Sequence, residues 1–170
     1  MKNITVLLLS GGKSHRFWPL PHKMTLPYLG MSFLNHQINL LQELGFIRIV
    51  LVTSEDVAKS VTSEVIKVIQ TGEGQAAAIL SAQSQIGDSP LLIVNADDIV
   101  AKSLFESLLY IADEKCNLLV GYKTDNYFPG GYLVLEGKRV AKIHEKPGAG
   151  NEPSSFVRLV CDYFVRGRNL

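Results

Sequence analysis

The first residues able to do chemistry follow the first apolar run of the chain. Gly11 and Gly12 end that run, and Arg16 and Lys23 lie in the segment that follows them in the sequence. Paired glycines let a backbone approach a ligand closely and direct amide groups at it, and two nearby cations can neutralise a polyanion. The pattern predicts a phosphate-binding loop. For either basic residue taken alone, a solvated surface position is the common alternative.

The tripeptide Gly12-Lys13-Ser14 matches the end of a Walker A loop. That loop requires a glycine at the place of Leu7 and a helix directly after the lysine. Leu7 instead belongs to the apolar run, and Pro19 and Pro21 interrupt the required helix. The sequence therefore argues against a P-loop nucleotidase.

Three further polar positions follow predicted strands or open a predicted helix. Asp97 comes directly after an apolar strand, Gln75 opens an alanine-rich helix, and Glu145-Lys146 ends a strand. Each position has a structural alternative, because aspartate caps helices, glutamine is ordinary in a first turn and charged pairs protect sheet edges. The residues alone leave both interpretations open.

The elements that must position these groups alternate along the chain. Apolar runs predict strands at 4–9, 47–52, 65–69 and 90–94, a fifth strand that begins with 118–120, and helices beginning near 32, 53–54, 75 and 103. Ser32, either Thr53 or Ser54, and Ser103 are predicted to cap three of these helices. Such alternation is typical of parallel βαβ units with helices on both faces of a sheet. After Pro129, two alternating strands around 136–138 predict a hairpin, and 156–165 returns as an apolar strand. We expect a mostly parallel sheet with an antiparallel C-terminal extension.

Bulk properties narrow the classes of function. The 170 residues, 46% of them hydrophobic, suit one compact domain, and a formal net charge of +1 argues against nucleic-acid or membrane-surface partners. No apolar stretch approaches the roughly 18–20 residues of a membrane span, and no signal peptide is visible, so we expect a cytoplasmic protein. Cys116 and Cys161 are predicted as buried free thiols. The four histidines lack metal-ligand spacing.

Several motifs in order resemble those of the nucleotide-sugar pyrophosphorylases, or sugar-1-phosphate nucleotidylyltransferases. They are Gly11-Gly12-Lys13-Ser14-His15-Arg16, Phe17-Trp18-Pro19-Leu20, His22-Lys23 before Gly30, Gly74-Gln75-Ala76, Asn95-Ala96-Asp97 and Glu145-Lys146-Pro147. The chain departs from the family pattern at Ser14, His15, His22 and Ala96, and a second metal-binding aspartate is not found. The motif GGKSHR also resembles the molybdenum-cofactor guanylyltransferases, which share the fold.

The resemblance implies a fold and a reaction. The fold is a Rossmann-like, GT-A-like three-layer α/β/α nucleotidyltransferase domain over residues 1–170. In it, residues 1–125 form the nucleotide-binding part and 126–170 begin a sugar-binding part. The reaction transfers a nucleotidyl group from an NTP to a sugar 1-phosphate, with Mg²⁺, and releases pyrophosphate. A non-catalytic nucleotide-binding module remains an alternative, and the apolar last strand could contact a second copy or a further C-terminal domain.

The same resemblance implies roles for individual residues. Arg16 and Lys23 would hold the triphosphate as catalytic groups, and Asp97 would bind Mg²⁺. The remaining roles are nucleotide binding by Ser10, Gly11, Gly12 and Gln75, and sugar-phosphate binding by Gly131, Glu145 and Lys146.

Overall fold

The computed structural model describes residues 3–12, 17, 19, 22–112 and 116–167. The strands in this part of the chain are β1 Thr5–Leu9, β2 Pro27–Tyr28, β3 Met31–Ser32, β4 Arg48–Thr53, β5 Ile66–Ile69, β6 Leu91–Asn95, β7 Leu118–Lys123, β8 Gly131–Glu136, β9 Arg139–Glu145 and β10 Phe156–Phe164. The α-helices are α1 Phe33–Glu43, α2 Glu55–Ser60, α3 Gly74–Ser81 and α4 Lys102–Ile111, and short 3-10 helices cover Lys23–Thr25 and Gln83–Gln85.

The helix starts follow the predicted caps with one exception. The side chains of Ser32 and Ser54 accept hydrogen bonds from the first-turn amides of α1 and α2, which satisfies donors that a helix otherwise leaves open. The cap predicted at Ser103 is wrong. Ala101 has an extended backbone and precedes the first helical residue, so Ser103 lies inside the first turn of α4.

Within the described residues, eight strands form one mixed sheet in the order β5-β4-β1-β6-β10-β8-β9, with β7 also paired to β10. The first four of these strands are parallel to one another. β10 is antiparallel to β6, and β8 and β9 form the predicted hairpin. The predicted α/β fold with a parallel centre and an antiparallel C-terminal extension is therefore confirmed.

The position of β7 differs from the predicted pattern of parallel units. β7 pairs antiparallel with β10 rather than lying parallel beside β6. The edge of β6 is taken by β10, whose Cys161 lies opposite Val94. A later antiparallel strand has thus displaced the strand that the βαβ alternation would have placed there.

Two apolar layers cover the central strands. Val6 and Leu8 of β1 face a core formed with α1, α2 and α4, and Leu7 and Leu9 face a core formed with α3. All five residues of β1 are buried, as expected for a parallel strand covered on both faces. This packing fixes β1 at the centre and holds its carboxyl end in a defined place.

The two cysteines differ in environment. Cys161 is buried in β10 and Cys116 is exposed before β7, and both are free thiols. The prediction of burial is confirmed for Cys161 and wrong for Cys116. Cys116 lies just outside β7, the strand whose apolar pattern suggested that it would be buried. Among the described residues, no helix has both the length and the apolar character to cross a membrane.

Candidate active site

The site lies where the order of the parallel strands reverses. The chain passes from β1 to β4 and β5 on one side, then crosses to β6 on the other side of β1. Leu9 and Asn95 end these two strands side by side, and the Ala96 amide donates to the Leu9 carbonyl over 2.9 Å. Ligands of open α/β sheets bind at such a reversal, in the crevice outside the carboxyl ends of the strands.

A cavity of about 430 Å³ occupies this crevice, and we call it the switch-point cavity. It collects residues from the loops after β1, β5 and β6 and from the start of α3. Six residues that the sequence predicted as ligand-binding line it, namely Ser10, Gly11, Gly12, Lys23, Gln75 and Asp97. Arg16, the other predicted catalytic residue, lies outside the described residues.

Lys23 and Asp97 form an ion pair in the wall of this cavity. The Lys23 ammonium donates to Oδ2 of Asp97, and the two side chains are 25% and 37% exposed. Lys23 opens the 3-10 helix whose next residue, Met24, is buried in the core. The buried methionine therefore anchors the lysine beside the loop that follows β6. The predicted phosphate cation and the predicted metal ligand are in direct contact.

Ser10 ties two strands together at the floor of the cavity. Its amide and its hydroxyl both donate to the Val52 carbonyl, over 2.8 and 3.2 Å. Both donors are thus used inside the sheet, and the hydroxyl oxygen retains only acceptor capacity. Ser10 stays a predicted nucleotide-binding residue whose contribution would be through its backbone position.

Gly11 allows a close contact with Gln70. A Cβ added to Gly11 would lie 1.8 Å from Oε1 of Gln70, whereas one added to Gly12 would meet nothing within 4 Å. The Gln70 amide donates to the carbonyls of Gly72 and Gly74, over 3.0 and 3.3 Å, and so holds the turn that leads into α3. Sequence reasoning missed Gln70, although its place directly after β5 was an available signal.

Gln75 stands between two cavities. It belongs to the first turn of α3 and lines the switch-point cavity and a second cavity of about 470 Å³. Its Nε2 is buried and has no hydrogen-bond partner among the described residues. A buried amide nitrogen without an acceptor is costly, which suits a group that is completed by a ligand.

We call the second cavity the hairpin cavity, because β8, β9 and β10 supply much of its wall. The two cavities share Gln75 and Asn95. The predicted sugar-phosphate residues Gly131 and Glu145 line the hairpin cavity. A Cβ on Gly131 would lie 3.0 Å from Oε2 of Glu145, so the glycine leaves the space that this carboxylate uses.

Lys146 is placed differently from its neighbour Glu145. Its side chain is 65% exposed, and Lys146 is not among the residues that line either cavity. Its φ of 46° is in the left-handed region, and its amide donates to the Gly130 carbonyl over 3.0 Å. The structure therefore gives Lys146 a backbone contact with the glycine turn before β8, with Nζ 3.9 Å from Oε1 of Glu145.

Asp98 also lines the hairpin cavity. Burial raises its pKa, and the charge of Asp97 raises it further. A hydrogen bond from Asn95 and the charge of Lys23 act in the opposite direction. Since the same Lys23 and Asp97 line the neighbouring cavity, the electrostatics of the two cavities are coupled.

Arg158 and Asp162 of β10 form a second charged pair that sequence reasoning missed. Arg158 lines the hairpin cavity, and its Nη2 donates to Oδ2 of Asp162, a fully buried residue. Burial raises the pKa of Asp162, and the hydrogen bond and charge of Arg158 oppose that effect. The available signal was a pair of opposite charges four residues apart in an otherwise apolar strand.

Asp97 is the predicted metal ligand, and the donors around it can be compared with what Mg²⁺ requires. No group of three or more His, Cys, Asp or Glu suited to a metal is assembled in the described part of the chain. Magnesium commonly uses one or two carboxylates together with waters and substrate phosphates. The Asp97 carboxylate, in the wall of a cavity that could take those phosphates, fits that donor set.

Comparison with known proteins agrees with this geometry. The model of the MobA-like NTP transferase domain matches residues 6–155. The chain belongs to the MobA-like NTP transferase family. No curated protein sequence matches it significantly.

Solved structures show the same fold. A protein from Bacillus anthracis assigned as a glucose-1-phosphate thymidylyltransferase superposes with a TM-score of 0.79 at 18% identity, over 95% of this chain and 71% of that one. A UDP-glucose pyrophosphorylase in complex with UDP-glucose gives 0.77 at 18% identity, over 97% and 76%. The enzyme of that name from Acinetobacter baumannii gives 0.76 at 16% identity, over 99% and 75%. The predicted nucleotidyltransferase fold is confirmed, and at these identities the likeness concerns the fold alone.

Proposed function

We propose that this NTP transferase joins a nucleotidyl group from an NTP to a sugar 1-phosphate, giving an NDP-sugar and pyrophosphate. The observation that carries the proposal is the pair of adjoining cavities. One combines a glycine loop with Lys23 and Asp97, and the other presents Glu145 beside Gly131. Two ligands held in these cavities would meet at Gln75 and Asn95, which belong to both walls.

The reaction requires little covalent chemistry from the protein. An oxygen of the sugar phosphate attacks the α-phosphorus of the NTP, and the bond from that phosphorus to the β-phosphate oxygen breaks. The attacking oxygen is already anionic, so no general base is needed. Catalysis of such a transfer rests on positioning and on neutralising charge.

The described residues can be assigned to those two tasks. Lys23 would leave Asp97 and bind the triphosphate as a point charge, and the backbone at Gly11 and Gly12 would approach the nucleotide. The Gln75 amide, with donor and acceptor atoms, would contact the base. Glu145 would accept hydrogen bonds from sugar hydroxyls. The role of Arg16 on the departing pyrophosphate rests on the sequence resemblance.

Asp97 is the residue that would hold Mg²⁺. The ion, when bound, would neutralise phosphate charge, the contribution that metal ions make to phosphoryl transfer in general. The protein's own part is to keep the carboxylate at the end of β6, next to the cavity that takes the phosphates.

The family match supports a second candidate. Because the matching domain is described as MobA-like, and because GGKSHR resembles the molybdenum-cofactor guanylyltransferases, a guanylyl transfer to a molybdopterin-type acceptor is the alternative. The sugar proposal rests on Glu145, whose carboxylate in the hairpin cavity suits a ligand that is rich in hydroxyl groups.

Pyrophosphate release, measured with the four NTPs against a panel of sugar 1-phosphates and a molybdopterin acceptor, tests the proposal. We expect release with at least one combination, and loss of about 100-fold or more in kcat for Asp97→Asn, by analogy with the removal of other charge-stabilising groups. Glu106→Gln is a matched control, because Glu106 is an exposed carboxylate on α4 paired with Lys102.

Two results would count against the proposal. Nucleotide binding without turnover for every sugar phosphate would indicate a binding module, and turnover restricted to GTP with a molybdopterin acceptor would favour the alternative. If Asp97→Asn is as active as the unmodified protein, Asp97 does not have the proposed role in catalysis.

A further inference from the structure

We propose that Arg158 is the residue of the hairpin cavity that binds the phosphate of the acceptor, and that the buried Asp162 positions its guanidinium. The inference rests on the proposed function, because it assigns the second cavity to the acceptor. It adds a specificity residue that neither the sequence motifs nor the likeness to known structures indicated.

The first support is convergence at Gly131. A Cβ added to Gly131 would lie 3.0 Å from Oε2 of Glu145 and 3.9 Å from Cβ of Arg158. In the sheet, Arg158 also lies opposite Gly121 of β7, a second residue without a side chain. Gly131 thus brings the Glu145 carboxylate and Arg158 to one place in the wall of the hairpin cavity, whereas the space at Gly121 is filled by Leu133 and Phe156.

The second support is that two residues of the lining carry buried donors without acceptors. Nε of Arg158 and Nε2 of Gln75 are both buried, and neither has a hydrogen-bond partner within the described residues. Both residues line the hairpin cavity. Because an unsatisfied buried donor is costly, and more so when charged, these two groups call for an acceptor that the ligand supplies. A phosphate offers several oxygens and matches the guanidinium fork.

The third support is the role of Asp162. Its carboxylate is fully buried, and its Oδ2 accepts from Arg158, whose side chain is 21% exposed and lines the cavity. The pair therefore presents its positive end to the cavity and its negative end to the protein interior. A buried carboxylate that holds one nitrogen of the fork leaves the other donors of Arg158 for a ligand.

The rest of the lining suits the other end of the same ligand. Asp98 and Glu145 contribute carboxyl groups, which can accept hydrogen bonds from the hydroxyl groups of a ligand. Lys146, the cation that the motif suggested for the phosphate, is not among the residues that line the cavity. The cavity thus combines one fixed cation with carboxylates, as expected for a hydroxyl-rich molecule that carries a single phosphate.

The test is a binding titration that does not depend on turnover. The probes are α-D-glucose 1-phosphate, inorganic phosphate and glucose, followed by 31P or 1H NMR line broadening. Because Lys23 offers phosphate a competing site, each titration is repeated in a Lys23→Met background. The main variant is Arg158→Met combined with Asp162→Asn, since removal of Arg158 alone would leave a buried carboxylate without its partner. Circular dichroism establishes that each variant is folded.

We expect the double variant to lose about 10- to 100-fold in affinity for both phosphate probes, the range for a charge-assisted hydrogen bond. Arg158→Lys should keep part of that affinity, because it retains the charge and loses the fork. Arg139→Met, which removes an exposed arginine from the far end of the hairpin, should bind as the unmodified protein does. Glucose should bind equally to all variants.

Several outcomes would overturn the inference: a folded double variant that binds both probes normally, a loss of binding in Lys146→Met instead, or no phosphate binding by the unmodified protein. Different results would refute the inference and the proposed function. Phosphate binding through Arg158 without any pyrophosphate release would refute only the function. Turnover with an unchanged KM for the acceptor in the double variant would refute only the role of Arg158.

Discussion

Replacing Lys23 by methionine should change metal binding and nucleotide binding in opposite directions. Lys23 contacts Asp97, so its ammonium occupies the carboxylate oxygen that a divalent ion would use. Methionine has similar length and no charge. The substitution therefore frees Asp97 for the ion and removes the cation proposed for the triphosphate.

The expected magnitudes follow from the exposure of the pair. Ion pairs in contact with solvent contribute about 0.2–1 kcal/mol. The Lys23 and Asp97 side chains are 25% and 37% exposed, so we take the upper end of that range, ~1 kcal/mol. That corresponds to a gain of about five-fold in affinity for Mn²⁺ without nucleotide. Loss of a charge-assisted hydrogen bond to phosphate, about 1.5–3 kcal/mol, should weaken NTP binding by roughly 10- to 100-fold.

Electron paramagnetic resonance of free Mn²⁺ measures the first quantity, and calorimetry with an NTP measures the second. Lys59→Met is the matched control, because Lys59 forms an exposed ion pair with Asp56 on α2 and lines neither cavity. It should leave both affinities unchanged. In Asp97→Asn, the Mn²⁺ affinity should fall whether or not Lys23 is present.

A single result would refute this reasoning. If Lys23→Met binds Mn²⁺ no more tightly than the control does, while its thermal unfolding is normal, the ion pair does not compete with the metal. The assignment of Asp97 as the metal ligand would then lose its support from the structure.

Three further predictions concern the glycine loop and the cysteines. Gly11→Ala should displace Gln70 from the carbonyls of Gly72 and Gly74 and weaken NTP binding by about 10-fold. Gly12→Ala is the control, because Gly12 has open space around it, and it should change the NTP affinity little. If a nucleotide titration shows equal effects of the two substitutions, the close contact between Gly11 and Gln70 does not matter for binding. Burial, with the charges of Asp162 and Asp98, raises the pKa of Cys161 to about 12, so a thiol reagent near pH 8 should label Cys116 alone until the protein unfolds. Because the folded thiol holds its proton to higher pH than the unfolded one, the free energy of unfolding should fall as pH rises above 9.0, and Cys161→Ala should reduce that slope.

Much of the fold could be predicted because local patterns agree with the final packing. The continuous apolar run of β1 indicated burial on both faces, and Ser32 and Ser54 cap helices through contacts within one turn. The place of β10 could not be predicted in this way. Whether β7 or β10 lies beside β6 depends on pairings between distant segments, such as Cys161 with Val94, and periodicity carries no information about them.

The site, like the fold, contains residues that the sequence could predict and residues that depend on long-range strand pairing. Residues at the carboxyl ends of β1 and β6 could be placed together from the topology alone, and the structure brings Gly11, Lys23 and Asp97 into one cavity. Arg158 and Asp162 were missed because they lie within a strand, where a charge is ordinarily assigned to the solvent face. Only the completed sheet shows that Asp162 is buried and that Arg158 reaches the hairpin cavity.

The insertion of β10 between β6 and the hairpin has a consequence for biosynthesis. The outer edge of β6 emerges from the ribosome long before Phe156–Phe164, the segment that completes its hydrogen bonds. During that interval, the nascent chain exposes an apolar strand edge of the kind that associates with other chains. Translation rate and chaperone capture over this stretch should therefore affect the yield of native protein.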